Sequence, residues 1–212
     1  MAVILNDTMR HFPLLLLLIF SNSAFSQDTI KYFYPTGQLR SLQIKVGSNL
    51  IFEKSFYENG QLEGEIYAYL TKDKPLVKSI KTYFETGKLK DIRNDTIEIR
   101  YEPDGSVFQT SQYKDFKKNG ISRTYLAKKL WLEMNFVNGI QNGWTTTYDT
   151  SGKFITTKEF YRDGKQEGPT KYYNEKGILT KTIYYKDKCP YKAEYFDKKA
   201  IWLKEGKPLG CS

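Results

Sequence analysis

The stretch that decides the fold runs from Phe136 to Leu179. It opens FVNGIQNGWTTTYDTSGKF (136–154) and resumes as EFYRDGKQEGPTKYYNEKGIL (159–179). Asn138-Gly139 and Asp163-Gly164 are the dipeptides that supply the positive-φ positions of tight hairpin turns. Between such signals, ITTKEFY (155–161) and LTKTIYY (179–185) have the β-branched and aromatic content of strands, with partial alternation. No segment sustains a 3.6-residue apolar period, so long helices are not expected. Local turns linking short strands predict an all-β antiparallel meander.

Working outward, one motif recurs along the chain. The copies are YFYPTGQL from Tyr32, SFYENGQL from Ser55, TYFETGKL from Thr82, RYEPDGSV from Arg100, TYDTSGKF from Thr147 and YYNEKGIL from Tyr172. Their glycines are Gly37, Gly60, Gly87, Gly105, Gly152 and Gly177. An aromatic lies four residues before each: Phe33, Phe56, Tyr83, Tyr101, Tyr148 and Tyr173. An apolar residue lies two after each: Leu39, Leu62, Leu89, Val107, Phe154 and Leu179. The glycines are 23, 27, 18, 47 and 25 residues apart. The gap of 47 is two periods and predicts a degenerate copy in its middle, which Tyr125 and Trp131 supply around Lys129. Another degenerate copy, from Tyr195 to Ile201 around Lys199, follows the last glycine, giving about eight units.

A second element falls between these copies, an aromatic followed by glycines three and seven residues on. Phe136 has Gly139 and Gly143, and Tyr161 has Gly164 and Gly168. YKDFKKNG from Tyr113 keeps Gly120 but puts Phe116 in the first slot, and LKEGKPLG from Leu203 keeps Gly206 and Gly210. YKDKCPYK from Tyr185 keeps only the spacing. Each unit thus alternates two turn signals with two strand-like runs. A single hairpin is marginal in water, so stability requires stacking neighbours.

An aromatic pair, a turn glycine, a following Leu, then an aromatic and DGKxxG together resemble the MORN-repeat variant of bacteria, the repeat found in proteins labelled YwqK-type antitoxins. The resemblance covers Tyr32 to Gly210 and is strongest from Phe136 to Leu179. It implies an elongated, single-layer antiparallel sheet of consecutive hairpins. It also implies that the motif residues are structural, with no catalytic residues to carry over.

The amino-terminal segment reads differently. FPLLLLLIF (12–20) follows Arg10 and His11, and SNSAFS (21–26) places Ala24 and Ser26 at the small-x-small positions of a cleavage site. This is the layout of a secretory signal, residues 1–26, with cleavage between Ser26 and Gln27 and a repeat domain from 27 to 212. Nine apolar residues span about 14 Å as a helix, short of the roughly 30 Å of a bilayer core. Met9 also fits as the start. An exported chain would be periplasmic, at the outer surface or secreted, with no transmembrane span after the leader. Removing the leader takes one Asp and one Arg and leaves the net charge at +9.

Composition narrows the chemistry. The only histidine, His11, falls in the leader, so the mature chain has no imidazole for a nucleophile–histidine pair and too few Cys/His ligands for a usual structural zinc set. Glu63 with Glu65, and Asp163 with Glu167, are carboxylate pairs, but acids beside turns are ordinary. Gly164 and Gly168 in DGKQEG lack the GK[ST] and the helix of a phosphate loop. The expectation is a non-enzymatic protein without metal or cofactor. Its basic excess is spread through the copies, as a soluble open sheet requires, and it also offers a positive surface. The expected partner is another protein, with anionic lipid or glycan as the alternative; interleaved aromatics also suit nucleic acid, which is not expected as the partner of an exported chain.

Cys189 and Cys211 are the only cysteines, an even pair that an oxidising compartment favours as a disulfide. An intact mass of the unreduced chain two hydrogens below the reduced value establishes the bridge. Equal masses exclude it.

Overall fold

The structure, a computed structural model, describes residues 28–46, 50–72, 75–197 and 200–205. Residues 1–27, with the cleavage site expected between Ser26 and Gln27, and also Lys199, Gly206, Gly210 and Cys211, lie outside them. The chain divides into two compact units, 1–88 and 89–212. In the first, β1 (Asp28–Phe33), β2 (Leu39–Val46), β3 (Leu50–Phe56), β4 (Leu62–Leu70) and β5 (Pro75–Tyr83) pair antiparallel in sequence order. In the second, β6 (Leu89–Asn94), β7 (Ile97–Tyr101), β8 (Val107–Lys114), β9 (Lys117–Leu126), β10 (Lys129–Val137) and β11 (Ile140–Tyr148) do the same. They are continued by β12 (Ile155–Arg162), β13 (Lys165–Tyr173), β14 (Leu179–Lys186), β15 (Cys189–Asp197) and β16 (Ala200–Glu205). Sixteen strands at two per repeat match the eight units that the period gives.

The first turn element closes as a β-turn followed by a left-handed glycine. Gly37 N–H donates to Tyr34 O at 2.9 Å, and Tyr34 N–H donates to Gln38 O at 2.8 Å. The same two bonds recur around Gly60, Gly87, Gly105 and Gly177, and the six motif glycines have φ between +72° and +88°. Pro35 and Pro103 stand at the second turn position, where a fixed negative φ fits. What holds the turn differs between the units. Tyr34 and Tyr57 send their hydroxyls onto the next copy, to Phe56 O at 2.8 Å and Tyr83 O at 2.7 Å. Asp149 and Asn174 occupy the same motif position and fold back, accepting backbone N–H bonds from their own turns.

Two copies depart from the motif. At Gly152 the loop is one residue longer, because Asp149 O–side-chain bonds to Ser151, Lys153 and Phe154 N–H wrap it, and Asp149 N–H reaches Phe154 O. Phe154, the apolar motif residue that corresponds to Leu179, therefore stays in the loop at 47% exposure, and Ile155, where the strand-like run begins, pairs with Tyr148. Around Lys129 there is no glycine to take the left-handed position. The chain turns earlier, at Ala127 (φ +47°) and Lys128 (φ +65°), and Lys129 opens β10 opposite Leu126. A register shift between Leu130 and Leu132 follows at once.

The paired glycines of the second element have two separate jobs. Gly139 and Gly164 complete two-residue turns with Asn138 and Asp163, both residues at positive φ, as matches the twist of a hairpin. Asp115-Phe116 and Asp187-Lys188 hold the same conformation without glycine. Gly120, Gly143 and Gly168 instead sit in bulges: Phe136 pairs with Gln141 while Met134 pairs with Thr145, so β11 carries extra residues there. A Cβ on Gly143 would lie 3.2 Å from the Cβ of Asn135, and one on Gly120 would collide with the Gln112 amide. Those amides occupy the opened ladder. Ile121 N–H donates to Gln112 Oε1 at 2.7 Å, and Asn135 Nδ2 donates to Trp144 O at 2.8 Å.

Burial is unusual in kind. Ala68 is the one buried apolar side chain among the described residues, whereas Ser41, Ser111, Ser122, Thr124, Thr145, Thr146, Thr170 and Thr182 are buried. A sheet in one layer has no second layer to fill, so short hydroxyl side chains occupy its middle and longer neighbours lean over them. Cross-strand pairs of this kind contribute roughly 0.2–1 kcal/mol each. In chemical unfolding, Gly177→Ala is expected to cost about 1–2 kcal/mol through backbone strain alone, since nothing lies within 4 Å of its missing Cβ. Gly152→Ala costs more, because its Cβ would come within 3.1 Å of the Leu130 backbone. Lys128→Gly stabilises by about 1 kcal/mol.

Candidate interaction surface

Residues directly opposed across strands share a face, so the registers assign every strand side chain of the second unit to one of two surfaces. On the first, Ser111, Ser122, Met134, Thr145, Glu159, Thr170 and Ile183 form one continuous row. Five of these seven side chains are polar, and hydrogen bonds tie them to one another or to their neighbours. Ser111 Oγ lies 2.8 Å from Ser122 Oγ, and Gln141 and Gln166 donate to Thr145 and Thr170 Oγ1 at 2.6 and 2.9 Å. Tyr161 donates to Glu159 at 3.1 Å, and the buried Glu98 accepts from Tyr113 at 3.2 Å beside Arg100 at 3.4 Å.

The opposite surface is basic. On β8–β15 it carries Lys114, Lys117, Arg123, Lys158, Arg162, Lys165, Lys171, Lys186 and Lys192 against Glu133, Glu194 and Glu167, whose carboxylate reaches Arg162. The hydroxyl face carries Lys118, Lys129 and Lys181 against Glu159 over the same strands. Arg123 pairs with Glu133 at 2.8 Å and Lys192 with Glu194 at 2.9 Å. Trp144, Phe160 and Tyr184 also lie on the basic face; Trp144 and Phe160 meet edge to face at 5.2 Å, with Lys171 5.7 Å above the Trp144 ring.

The rim formed by the first turn element carries exposed apolar side chains. Val107, Leu126, Trp131, Phe154 and Ile178 are all exposed there. Between the turns at 149–154 and 174–178 lies a hollow of about 830 Å³, whose lining includes Phe154, Thr156, Tyr173 and Ile178 together with Asp149, Glu175 and Lys176. A smaller one of about 420 Å³ lies between Glu102–Val107 and Tyr125–Lys128. In the first unit, a third of about 210 Å³ holds Glu53, whose carboxyl burial pushes above the usual range.

Several side chains singled out in the sequence have structural roles here. Glu65 is tied to Lys54 at 3.5 Å and accepts from Tyr83 at 2.9 Å, Glu167 is tied to Arg162 at 3.1 Å, and Asp163 accepts from Asn142 at 3.2 Å. The DGKQEG segment is a turn, a bulge and strand β13, with no helix following. The aromatics Phe56, Tyr101, Tyr148 and Tyr173 each close the first turn opposite Leu62, Val107, Ile155 and Leu179. Cys189 opens β15 and is held in a disulfide. Among the described residues no group of three or more His, Cys, Asp or Glu could hold a metal, and no helix is long and apolar enough to cross a membrane.

What the sequence reading missed are the Gln141–Thr145 and Gln166–Thr170 clasps and the sorting of charge by face. The equal spacing of the two Gln/Thr pairs, 25 residues apart, is the available signal for the clasps. Charge sorting required the register, because bulges invert the alternation.

With this geometry in place, the sequence profile of the MORN repeat variant matches residues 53–68 and 166–187. Both segments contain a strand, the glycine turn at Gly60 or Gly177, and the strand that follows. These two segments of the chain are thus similar to that repeat variant. No curated protein matches the chain.

The hydroxyl face has a pH signature. Burial, then the neighbouring Glu159 carboxylate, pushes the Tyr161 phenol up to about 12 from its ordinary 10.0. Below pH 10 both folded and unfolded chains hold the proton; above it the unfolded chain releases first, so stability falls as pH rises from 10 to about 12. Unfolding midpoints over that window show a shallower fall in Tyr161→Phe. An unchanged slope contradicts the assignment.

Proposed function

We propose that the chain is an exported, non-enzymatic binding and scaffold module of the cell envelope, whose partner is another protein. The observation that carries this is the turn rim, where Phe154 and Ile178 stand exposed beside an 830 Å³ hollow. Exposed apolar clusters rimmed by polar groups are interaction sites. Phe154 is the more telling residue, since the longer loop around Gly152 keeps it in the loop and exposed, whereas the corresponding Leu179 opens a strand. MORN-type repeats support a binding role, and the leader-like segment at 1–26 supports export. The likeness to YwqK-type antitoxins, joined with export, favours an immunity-like module that neutralises a toxin at the envelope. Attachment to an anionic glycan or lipid is the second reading, favoured by the segregation of charge onto one face.

The chain with a C-terminal tag is expected in the envelope or medium, beginning at Gln27, and it captures a discrete protein there. Phe154→Ser with Ile178→Ser reduces that capture by about tenfold while leaving the circular dichroism spectrum unchanged. A chain that keeps its leader in the cytoplasm removes the export reading. Capture indifferent to the two substitutions removes the rim.

A further inference from the structure

The basic face holds more than an excess of charge, because the register sorts it into lines. Trp144 pairs with Phe160 across β11 and β12, and Pro169 pairs with Tyr184 across β13 and β14, giving one row of flat side chains that crosses four strands. Along such a row, neighbouring positions stand about 4.8 Å apart. One row toward the glycine turns lie Lys158 and Lys171, directly opposed. One row toward the two-residue turns lie Arg162 and Lys165, also opposed, followed by Lys186. A strip of rings is thus bordered by cations on both sides. Lys158, Lys171 and Lys186 form no ion pair among the described residues, and Lys171 is already drawn over the Trp144 ring.

We propose that this strip is a binding track for a linear anionic polysaccharide. Sugar rings would lie on the faces of Trp144, Phe160 and Tyr184, and their carboxylate or sulfate groups would reach the flanking lysines on either side. A membrane plane fits less well: the rings are half-buried in the sheet, and the apolar pair that protrudes on their face, Val137 with Ile140, stands at its edge, at the turn between β10 and β11. A single nucleic acid strand shares the ring-and-charge chemistry, and glycan is preferred over it on the export proposed above. Opposite-face residues provide a matched control, since Lys118 and Lys129 carry the same charge away from the strip.

The test uses the mature full chain with polygalacturonate, monitored by co-sedimentation and tryptophan fluorescence, against neutral dextran, phosphatidylglycerol vesicles and an oligo-dT strand. Binding to polygalacturonate but not dextran is expected, weakening with salt and changing tryptophan emission. Lys158→Gln with Lys171→Gln lowers the affinity about tenfold, whereas Lys118→Gln with Lys129→Gln leaves it within about twofold. No polygalacturonate binding, equal loss in both double variants, or tighter binding to vesicles or oligo-dT overturns the proposal. Because purified polysaccharide replaces any cellular partner, failure here leaves the protein-binding rim and export standing, and their failure leaves this result standing.

Discussion

A β-sheet with no second layer must satisfy its interior sideways. Every other feature of this chain follows from that constraint. In a sandwich, apolar side chains on one face would interlock with those of a facing sheet. Here the described buried set is hydroxyls, an amide and a carboxylate with a single alanine. Short Ser and Thr side chains need little cover, bond to one another or to nearby amides, and suit the pleat. The Gln141–Thr145 and Gln166–Thr170 clasps and the Ser111–Ser122 contact are this solution repeated along one face. Stability is then a sum of terms between adjacent strands, and both faces stay available.

That arrangement makes the turns decisive. Without a core to select the register, the register is set where each hairpin closes, and one extra residue moves a side chain to a different environment. Phe154 shows this directly: one added loop residue leaves it exposed on the rim, whereas the corresponding Leu179 opens a strand. The bulge glycines have the complementary effect. Gly143 and Gly120 let extra residues enter one strand without losing hydrogen bonds, since Asn135 and Gln112 take up the displaced backbone groups. Binding surfaces on the rim and on the basic face are by-products of how the hairpins close.

The turn glycines and strand runs were legible because their physics is local. Positive φ at Gly37, Gly60, Gly87, Gly105, Gly152 and Gly177 follows from a motif readable within eight residues. The pairing of Phe56 with Leu62 and of Tyr173 with Leu179 was equally readable. The copy around Lys129 was placed correctly in sequence and wrongly in conformation, because spacing does not reveal whether a site lacking glycine will choose a shorter turn. The separate roles of Gly139 and Gly143 were hidden for a similar reason: both are glycines after an aromatic, and only the register tells turn from bulge. A positive surface is legible in the basic excess, but which lysines share a face is not, and only bulge-corrected alternation places Lys158 and Lys171 on the face of Trp144.

The heat capacity change of unfolding tests the central claim most directly, since it reports apolar surface taken from water. Ordinary globular proteins show about 12–15 cal/mol/K per residue. A single layer whose buried side chains are mostly hydroxyls predicts a value clearly below that range for the mature chain. A value within or above it would mean that an apolar core exists, and would contradict the account.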